Sequence, residues 1–557
     1  MKQEHETKEQ NILAQASILM MAGIVTRIIG VLYRSPVTSI IGDEGNGYYS
    51  IAVNIYTMVL LISSYSIPMA VSKVVSGKLA LKQYRDAHKV FRCALLYVFI
   101  VGMIGMGVAF FGAPVLISEN QSNAIPVLRI LAPAIFVSGF LGVFRGYFQA
   151  HGSMVPTSAS QIIEQIMNAI VSIGAAVLFI RLFAGGDEEK VPVYGAMGSA
   201  AGIVAGVIIG LVFMLILYMF NASYFRKRRR RDKSGSESSY GEIFKIIFLM
   251  VTPVILSTFV YNISTVMDQT LFIDVMDFKG MNSRNAAALY GVFSGKYWVL
   301  INVPVALANS MSTAMIPAVS GNYTLGNLPK CGEKVKEAIH FTMMISIPAA
   351  VGLCVLACPV MQVLFPQRAT IRLAISILRV GCISVVFYSL STVSNGVLQG
   401  IGKVNIPLRN AAVALLMHLL LLAPLLYFTD MNLYALVAAT CFYSFMMCLL
   451  NSLSVRKYLH YRQEIRKTFL IPAISALIMG VFCYIFYQGL YLIVFTLLGA
   501  MLPLRAIVLA CMMAAILFAV AVYFVAELKL GGVTEAELIN FPKGGTLVRA
   551  ARRFGLL

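Results

Sequence analysis

The chain has 557 residues, of which 12% are charged and 59% apolar, where soluble domains carry about 25% charged residues. The apolar residues fall in long runs spaced about forty residues apart, each close to the ~20 residues that an α-helix needs to cross a bilayer; a soluble enzyme, a secreted domain and a transcription factor are excluded. The formal net charge of +20 would suggest nucleic acid in a soluble protein, but here the basic residues sit in short loops between apolar runs, where they carry the positive-inside signal, and no nucleic-acid partner is expected.

In chain order, the polar start MKQEHETKEQ leads into an apolar run interrupted by Arg27, with no small-residue cleavage site at its end, so an uncleaved first helix is expected rather than a signal peptide. Apolar runs between polar breaks predict spans near 12–40, 48–71, 91–117, 127–149, 156–183, 193–220, 243–274, 289–317, 338–365, 373–399, 405–428, 432–455, 468–487 and 503–526. Basic residues gather after the second span (Lys73, Lys78, Lys82, Arg85, Lys89), after the sixth (RKRRRR, 226–231), after the eighth (Lys330, Lys334, Lys336) and after the twelfth (Arg456, Lys457, Arg462, Arg466, Lys467). The intervening loops GDEGNG (42–47), SENQSN (118–123), GGDEEK (185–190) and FTDMN (428–432) are acidic or nearly uncharged. Fourteen spans with both termini in the cytoplasm fit both sets. The RKRRRR run has the composition to bind anionic headgroups, although topology alone accounts for it.

The segment FRGYFQAHGSMVP (144–156) matches SNGVLQGIGKVNIP (394–407): Gly146, Gln149 and Gly152 stand opposite Gly396, Gln399 and Gly402. A weaker echo links SIPMAVS (66–72) with MIPAVS (315–320). The offset corresponds to six spans, an even number, so both copies enter the membrane from the same side. The expected fold is therefore an all-α integral membrane protein with two parallel six-helix bundles, a substrate site between them, alternating access by rocking, and two appended C-terminal helices. The expected division is a first bundle over 1–225, a basic cytoplasmic linker over 226–242, a second bundle over 243–460, and helices thirteen and fourteen with a cytoplasmic tail over 461–557.

Ionisable residues inside spans cost a few kcal/mol each and need a cavity or a partner. The excess here is cationic. Arg27 and Arg34 stand seven residues apart on the first span, two turns along one face, and Lys296 lies early in the eighth, with Asn302 and Asn309 further along. The bland reading has Arg34 snorkelling outward and Lys296 pairing with Asp268 of the seventh span; Arg27 lies too deep for that and is expected to face a cavity. Guanidinium forks and a lysine point charge are what hold a phosphate-bearing anion. In the fifth span Gln161, Glu164 and Asn168 form one polar stripe, read either as an interhelical seam with Arg145 as the partner of Glu164 or as an ion-coupling site. The cysteines lie mostly in apolar runs and read as small hydrophobes. No nucleotide-binding loop, HExxH or nucleophile elbow is found in the chain, so neither enzymatic chemistry nor ATP-driven transport is expected.

TRIIGVLYR, FRGYFQAHGSMVPTSASQIIEQ, YGVFSGKYWVLINVPVALANSMSTAMIPAVSG and the tail ELINFPKGGTLVRAARRFGLL resemble the polysaccharide-transporter branch of the MOP flippase superfamily, in the group of stage V sporulation protein B and the MurJ-type lipid II flippases. The resemblance implies a flippase that carries an undecaprenyl-pyrophosphate-linked saccharide, foremost lipid II, from the inner to the outer leaflet for cell-wall synthesis. Its partners would be the lipid-linked saccharide, membrane lipids and the cell-wall synthesis machinery. The essential first-helix arginines of that group resemble Arg27 and Arg34, with a spacing one residue longer here. Lys296 stands for an eighth-helix arginine, and a second-helix arginine has no counterpart unless Lys73 serves. With Asn302, these cations are the expected substrate-binding set. No cofactor is implied; the membrane potential favours outward movement of an anion, and coupling to Na+ or H+ through Asp268 or Glu164 stays open. Other readings are a flippase for a different lipid-linked oligosaccharide or sporulation-specific substrate, or a cation-coupled multidrug exporter of the same superfamily.

Overall fold

The computed structural model describes residues 2–64, 67–232, 239–365, 367, 369–499 and 501–533, with 545, 548–549 and 552 of the tail. Side chains are described from Met21 onward, save for 250–258, 260–261, 313–314 and 317–318. The centre of the expected basic linker (233–238) and most of the tail quoted above lie outside these residues.

Every regular element among them is helical: α1 (Lys2–Ser63), α2 (Ile67–Ala80), α3 (Tyr84–Phe111), the single turn α4 (Ala113–Leu116), α5 (Ile125–Ala150), α6 (Val155–Phe179), α7 (Val191–Arg230), α8 (Tyr240–Phe278), α9 (Ser283–Val292), α10 (Trp298–Thr324), α11 (Leu328–Val355), α12 (Ala357–Leu364), α13 (Ile371–Gly381), α14 (Ser384–Gly400), α15 (Asn405–Phe428), α16 (Leu433–Leu459), α17 (Ile471–Leu498) and α18 (Leu504–Lys529). Eleven helical stretches are long and apolar enough to cross a membrane, and a twelfth arises if α13 and α14, bent by 48°, form one span.

The first of these stretches, Met21–Ala80, runs for 60 residues, which a straight helix would extend to about 90 Å, three times the hydrocarbon thickness of ~30 Å. It folds back at Gly42, whose φ of 72° and ψ of −178° lie in a region that residues with a Cβ rarely enter. The fold-back is confirmed by contact: the Arg34 guanidinium lies 4.5 Å from the centre of the Tyr49 ring, although fifteen residues of straight helix would separate them by about 22 Å. This stretch thus holds two crossings, and α8 coincides with the expected seventh span. Among the described residues, each of the fourteen expected spans falls mainly on helix.

The chain divides into two units, Met1–Gly295 and Lys296–Leu557; the packing boundary falls inside a π-turn, Phe293–Tyr297, that joins α9 to α10. In unit 1, several glycines let backbones approach closely. A Cβ on Gly47 would overlap the Ala287 carbonyl of α9, and one on Gly291 would overlap Asp43. Along α7, Gly198, Gly202 and Gly206 recur every four residues, and a Cβ on each would run into α6, at Ala175, Ser172 and the Glu164 carbonyl in turn. Small residues at this spacing allow close helix contact in lipid, where burial of apolar surface gives no net drive to association.

Unit 2 has a continuous apolar core in which α11, α14, α17 and α18 meet around Val335, Met343, Val393, Val397, Cys483 and Cys511. Tyr523 of α18 donates to the Met344 carbonyl of α11 (2.9 Å), so the last two helices are fixed to this unit.

The self-match in the sequence has the same structural meaning in both units. Gly152 and Gly402 have φ of 83° and 76°, and the paired bonds Ser153 N to Phe148 O (3.3 Å) and Lys403 N to Leu398 O (2.9 Å) close the ends of α5 and α14 in the manner of a glycine C-cap. A Cβ on Gly146 would meet the Pro68 carbonyl and Val71 of α2; one on Gly396 would overlap Ser312 of α10, and Gly400, one turn on, faces Ile316 and Val319. Gly146 thus packs on the first copy of the weaker echo, SIPMAVS, whereas in the second unit Gly396 packs on Ser312, just before MIPAVS, and it is Gly400 that meets MIPAVS.

Candidate functional site

The first-helix cations occupy different surroundings. Arg27 is exposed and has no hydrogen-bond or ion-pair partner among the described residues. Arg34 is half-buried; it stacks on Tyr49 and its Nη1 donates to Asn46 Oδ1 (3.5 Å). Asn46 is fully buried and in turn donates to Thr38 Oγ1 (2.7 Å). Outward snorkelling of Arg34 is therefore not what the structure shows. The reversal at Gly42 brings the start of the second span against it, so its charge is oriented by an aromatic face and an amide.

The stripe on α6 is divided in use. Glu164 forms an ion pair with Arg145 of α5 (2.6 Å), and Arg145 Nε also donates to Ser160 Oγ (2.8 Å). Asn168 reaches Tyr33 of α1 (3.5 Å), and Ser172 lies 2.9 Å from Asn168 Oδ1 and from the Ser199 carbonyl of α7. Gln161 is half-buried. The expected pairing of Arg145 with Glu164 is present, and this face of α6 is tied to α1, α5 and α7.

A second polar group in unit 1 centres on Asn54, whose amide nitrogen donates to Gln269 Oε1 (2.7 Å) and to the Tyr290 hydroxyl (2.9 Å). Gln269 in turn donates to Gln121 (3.4 Å). Asp268, half-buried beside Gln269, lies within electrostatic reach of Tyr290. The sequence reading singled out Asp268 but not Asn54, although an amide in the apolar run IAVNIYTMVLL was a usable signal.

In unit 2, Lys296 is wholly enclosed and its ammonium donates to Thr370 Oγ1 (2.8 Å). The π-turn that carries it is a local widening of the helix of the kind common at functional sites. Tyr297, also fully buried, donates to the Gly381 carbonyl (3.2 Å), and a Cβ on Gly381 would overlap its ring. Asn302 is half-buried and donates to the Trp298 carbonyl one turn back (2.9 Å). Asn410 donates to Asn451 (2.9 Å) and Ser454 (3.0 Å), and Asn451 donates to Asn395 (2.7 Å); this amide relay across α14, α15 and α16 went unread in the sequence.

No group of three or more His, Cys, Asp or Glu with metal-binding geometry occurs among the described residues. All nine cysteines are free.

Comparison with known proteins places these features in a family. Residues 12–322, more than half of the chain, match the family model described as polysaccharide biosynthesis protein, and residues 286–423 match the MatE model. The chain is 24% identical to lipid II flippase MurJ of Bacillus subtilis (strain 168) over 494 residues, covering 84% of this chain and 87% of the relative. It is 24% identical to stage V sporulation protein B of the same organism over 361 residues, covering 64% and 67%. Among solved structures, a lipid II flippase MurJ in an inward closed conformation superposes with a TM-score of 0.63 at 15% identity, covering 91% of this chain and 97% of that one.

Proposed function

The chain belongs to the polysaccharide biosynthesis protein family, and from that premise we propose that it is a flippase which carries an undecaprenyl-pyrophosphate-linked saccharide, foremost lipid II, from the inner to the outer leaflet of a bacterial cell membrane. The observation that carries the reading is the first helix: Arg34 held by Tyr49 and Asn46, with Arg27 exposed two turns away on the same helix. A pyrophosphate enters hydrocarbon only with compensating cations, and a positioned guanidinium beside an uncommitted one offers two forks of the planarity that phosphate oxygens require. Lys296 and Asn302 supply the corresponding groups in unit 2, so alternating access would transfer the headgroup between environments that each carry positive charge. Both termini are cytoplasmic in this reading, as the basic loops require.

Movement of the anion outward is favoured by an inside-negative potential, by about 2.3 kcal/mol per charge per 100 mV, so no nucleotide hydrolysis is required and the protein is a transporter rather than an enzyme. If a Na+ or H+ is coupled, Asp268 and Glu164 are the candidate carboxylates, the latter paired with Arg145. The saccharide carrier, membrane lipids and the cell-wall synthesis machinery are the partners of such a cycle.

The test is rescue of a bacterium depleted of its own lipid II flippase, with this chain and with Arg27→Ala at matched membrane levels. Rescue by the first and at least about tenfold poorer rescue by the second is the expected result, the loss of one charge-assisted contact. Equal rescue by both sinks the cationic reading. The match of residues 286–423 to the MatE model favours, as a second reading, a cation-coupled multidrug exporter; raised drug resistance on overexpression without rescue would select it.

A further inference from the structure

At one end of unit 1, the first turns of α3 and the last two turns of α7 gather positive charge around an aromatic floor. Arg92 and Arg229 both act electrostatically on His88 and on Tyr218. Arg228, held between Tyr84 and Tyr224 (5.3 and 5.0 Å), acts on Tyr147 and His151. Phe91 stacks on His88 (5.9 Å) and Tyr218 (5.4 Å) and fixes the floor.

Topology explains how many cations lie at this end but not how two of them are used. His88 is 8% exposed and its Nδ1 has no hydrogen-bond partner; the Nε of Arg229 is buried and likewise unsatisfied. Buried polar groups without partners are rare because their desolvation is uncompensated. The nearby acids are engaged elsewhere, Asp86 with Lys78 (3.1 Å) and Asp232 with the backbone N–H of Arg85 (2.7 Å). Among the described residues no acceptor reaches either group, and an anion able to take several donors would complete both.

We propose that His88, Arg92 and Arg229 form an accessory binding site for a phosphate group, distinct from the proposed substrate cations Arg27, Arg34 and Lys296. Phosphate presents several acceptor oxygens to guanidinium forks. At 40 residues, α7 is about 60 Å long, twice the hydrocarbon thickness, so its basic end emerges where both lipid headgroups and dissolved phosphates are met. The shared chemistry is a phosphate monoester or diester.

The test uses the purified full chain in neutral detergent. One arm follows thermal unfolding against inorganic phosphate, with chloride at matched ionic strength as the control. The other counts lipids retained from nanodiscs of phosphatidylglycerol or of phosphatidylcholine by native mass spectrometry. Wild type is expected to be stabilised by phosphate or to retain phosphatidylglycerol selectively; the first assigns a dissolved phosphate, the second a headgroup, and either supports the site. R92Q/R229Q is expected to raise the half-saturating concentration, or lower selective retention, by about tenfold or more. R226Q/K227Q, which removes two exposed cations of the same helix end, should change it less than about twofold. R229K keeps the charge without the Nε–H and should fall between, which covers the case in which the double variant does not fold. Equal loss in the two double variants would reduce the effect to general charge and overturn the proposal, as would a wild type indifferent to both probes.

Discussion

The repeat is built alike in the two units and wired differently. In both, a glycine of the matched segment lets the helix lie against its neighbour, Gly146 on Pro68 and Gly396 on Ser312, and a second glycine with positive φ ends the helix six residues later, at Gly152 and Gly402. Next to the packing glycine, Arg145 of unit 1 pairs with the carboxylate of Glu164, whereas Asn395 of unit 2 receives a neutral amide from Asn451. Just before the capping glycine stand His151 and Ile401. The difference separates what the repeat needs for folding, which is glycine, from what each unit has specialised, which is charge.

The strongest test breaks the shared part. Gly146→Leu and Gly396→Leu should each drive a side chain into a neighbouring helix, and the yield of monodisperse protein on fluorescence-detected size exclusion should fall to near background for both. If one variant folded normally, the equivalence of the two packing sites would be lost.

A smaller effect separates the seams. Arg145→Ala leaves Glu164 unpaired in a setting where the two side chains are only 14% and 28% exposed, and should cost about 2 kcal/mol, below the 3–5 of a fully buried broken pair. Asn395→Ala removes one amide contact and should cost about 0.6 kcal/mol, the mean for interhelical hydrogen bonds in membranes. Arg145→Gln with Glu164→Gln, which gives unit 1 a neutral seam like that of unit 2, should recover most of the loss. Thermal unfolding in one detergent ranks the variants, and equal shifts for Arg145→Ala and Asn395→Ala would remove the contrast.

The smallest effect is a pH dependence at His151 of unit 1. Burial, reinforced by the Arg228 charge, holds the His151 imidazole below its ordinary value, while the Tyr147 carbonyl opposes the shift by accepting from Nδ1. The unfolded chain therefore takes up the proton first, so stability falls as the pH drops below the ordinary imidazole value of about 6.5. His151→Ile, the residue of the other repeat, should flatten the thermal-stability profile between pH 7 and 5 by a fraction of the whole slope. An unchanged profile would place the sensitivity elsewhere.

Much of this architecture was readable in the sequence, because span length and the even offset of the repeat are properties of local composition. The meaning of Gly152 and Gly402 was also local, since a helix end asks for a residue that accepts positive φ. The partners of the charges were legible only where the helices that carry them are neighbours in sequence, as with Arg145 and Glu164. Thr370, which accepts from Lys296 seventy-four residues away, and Tyr49, brought to Arg34 by the turn at Gly42, were not: one depends on helix register and the other on a single backbone torsion. Asn395, Asn410 and Asn451 were passed over because an amide carries no formal charge, yet each lies in an apolar run where its hydrogen bonds have to be found within the protein.

The glycine spacing of α7 against α6 has a mechanical consequence. With backbone against backbone at Gly198, Gly202 and Gly206, and Ser172 reaching across to Ser199, the two helices cannot slide past each other without a gap or a collision at every fourth residue. They therefore move as one stiff lever in any transport cycle.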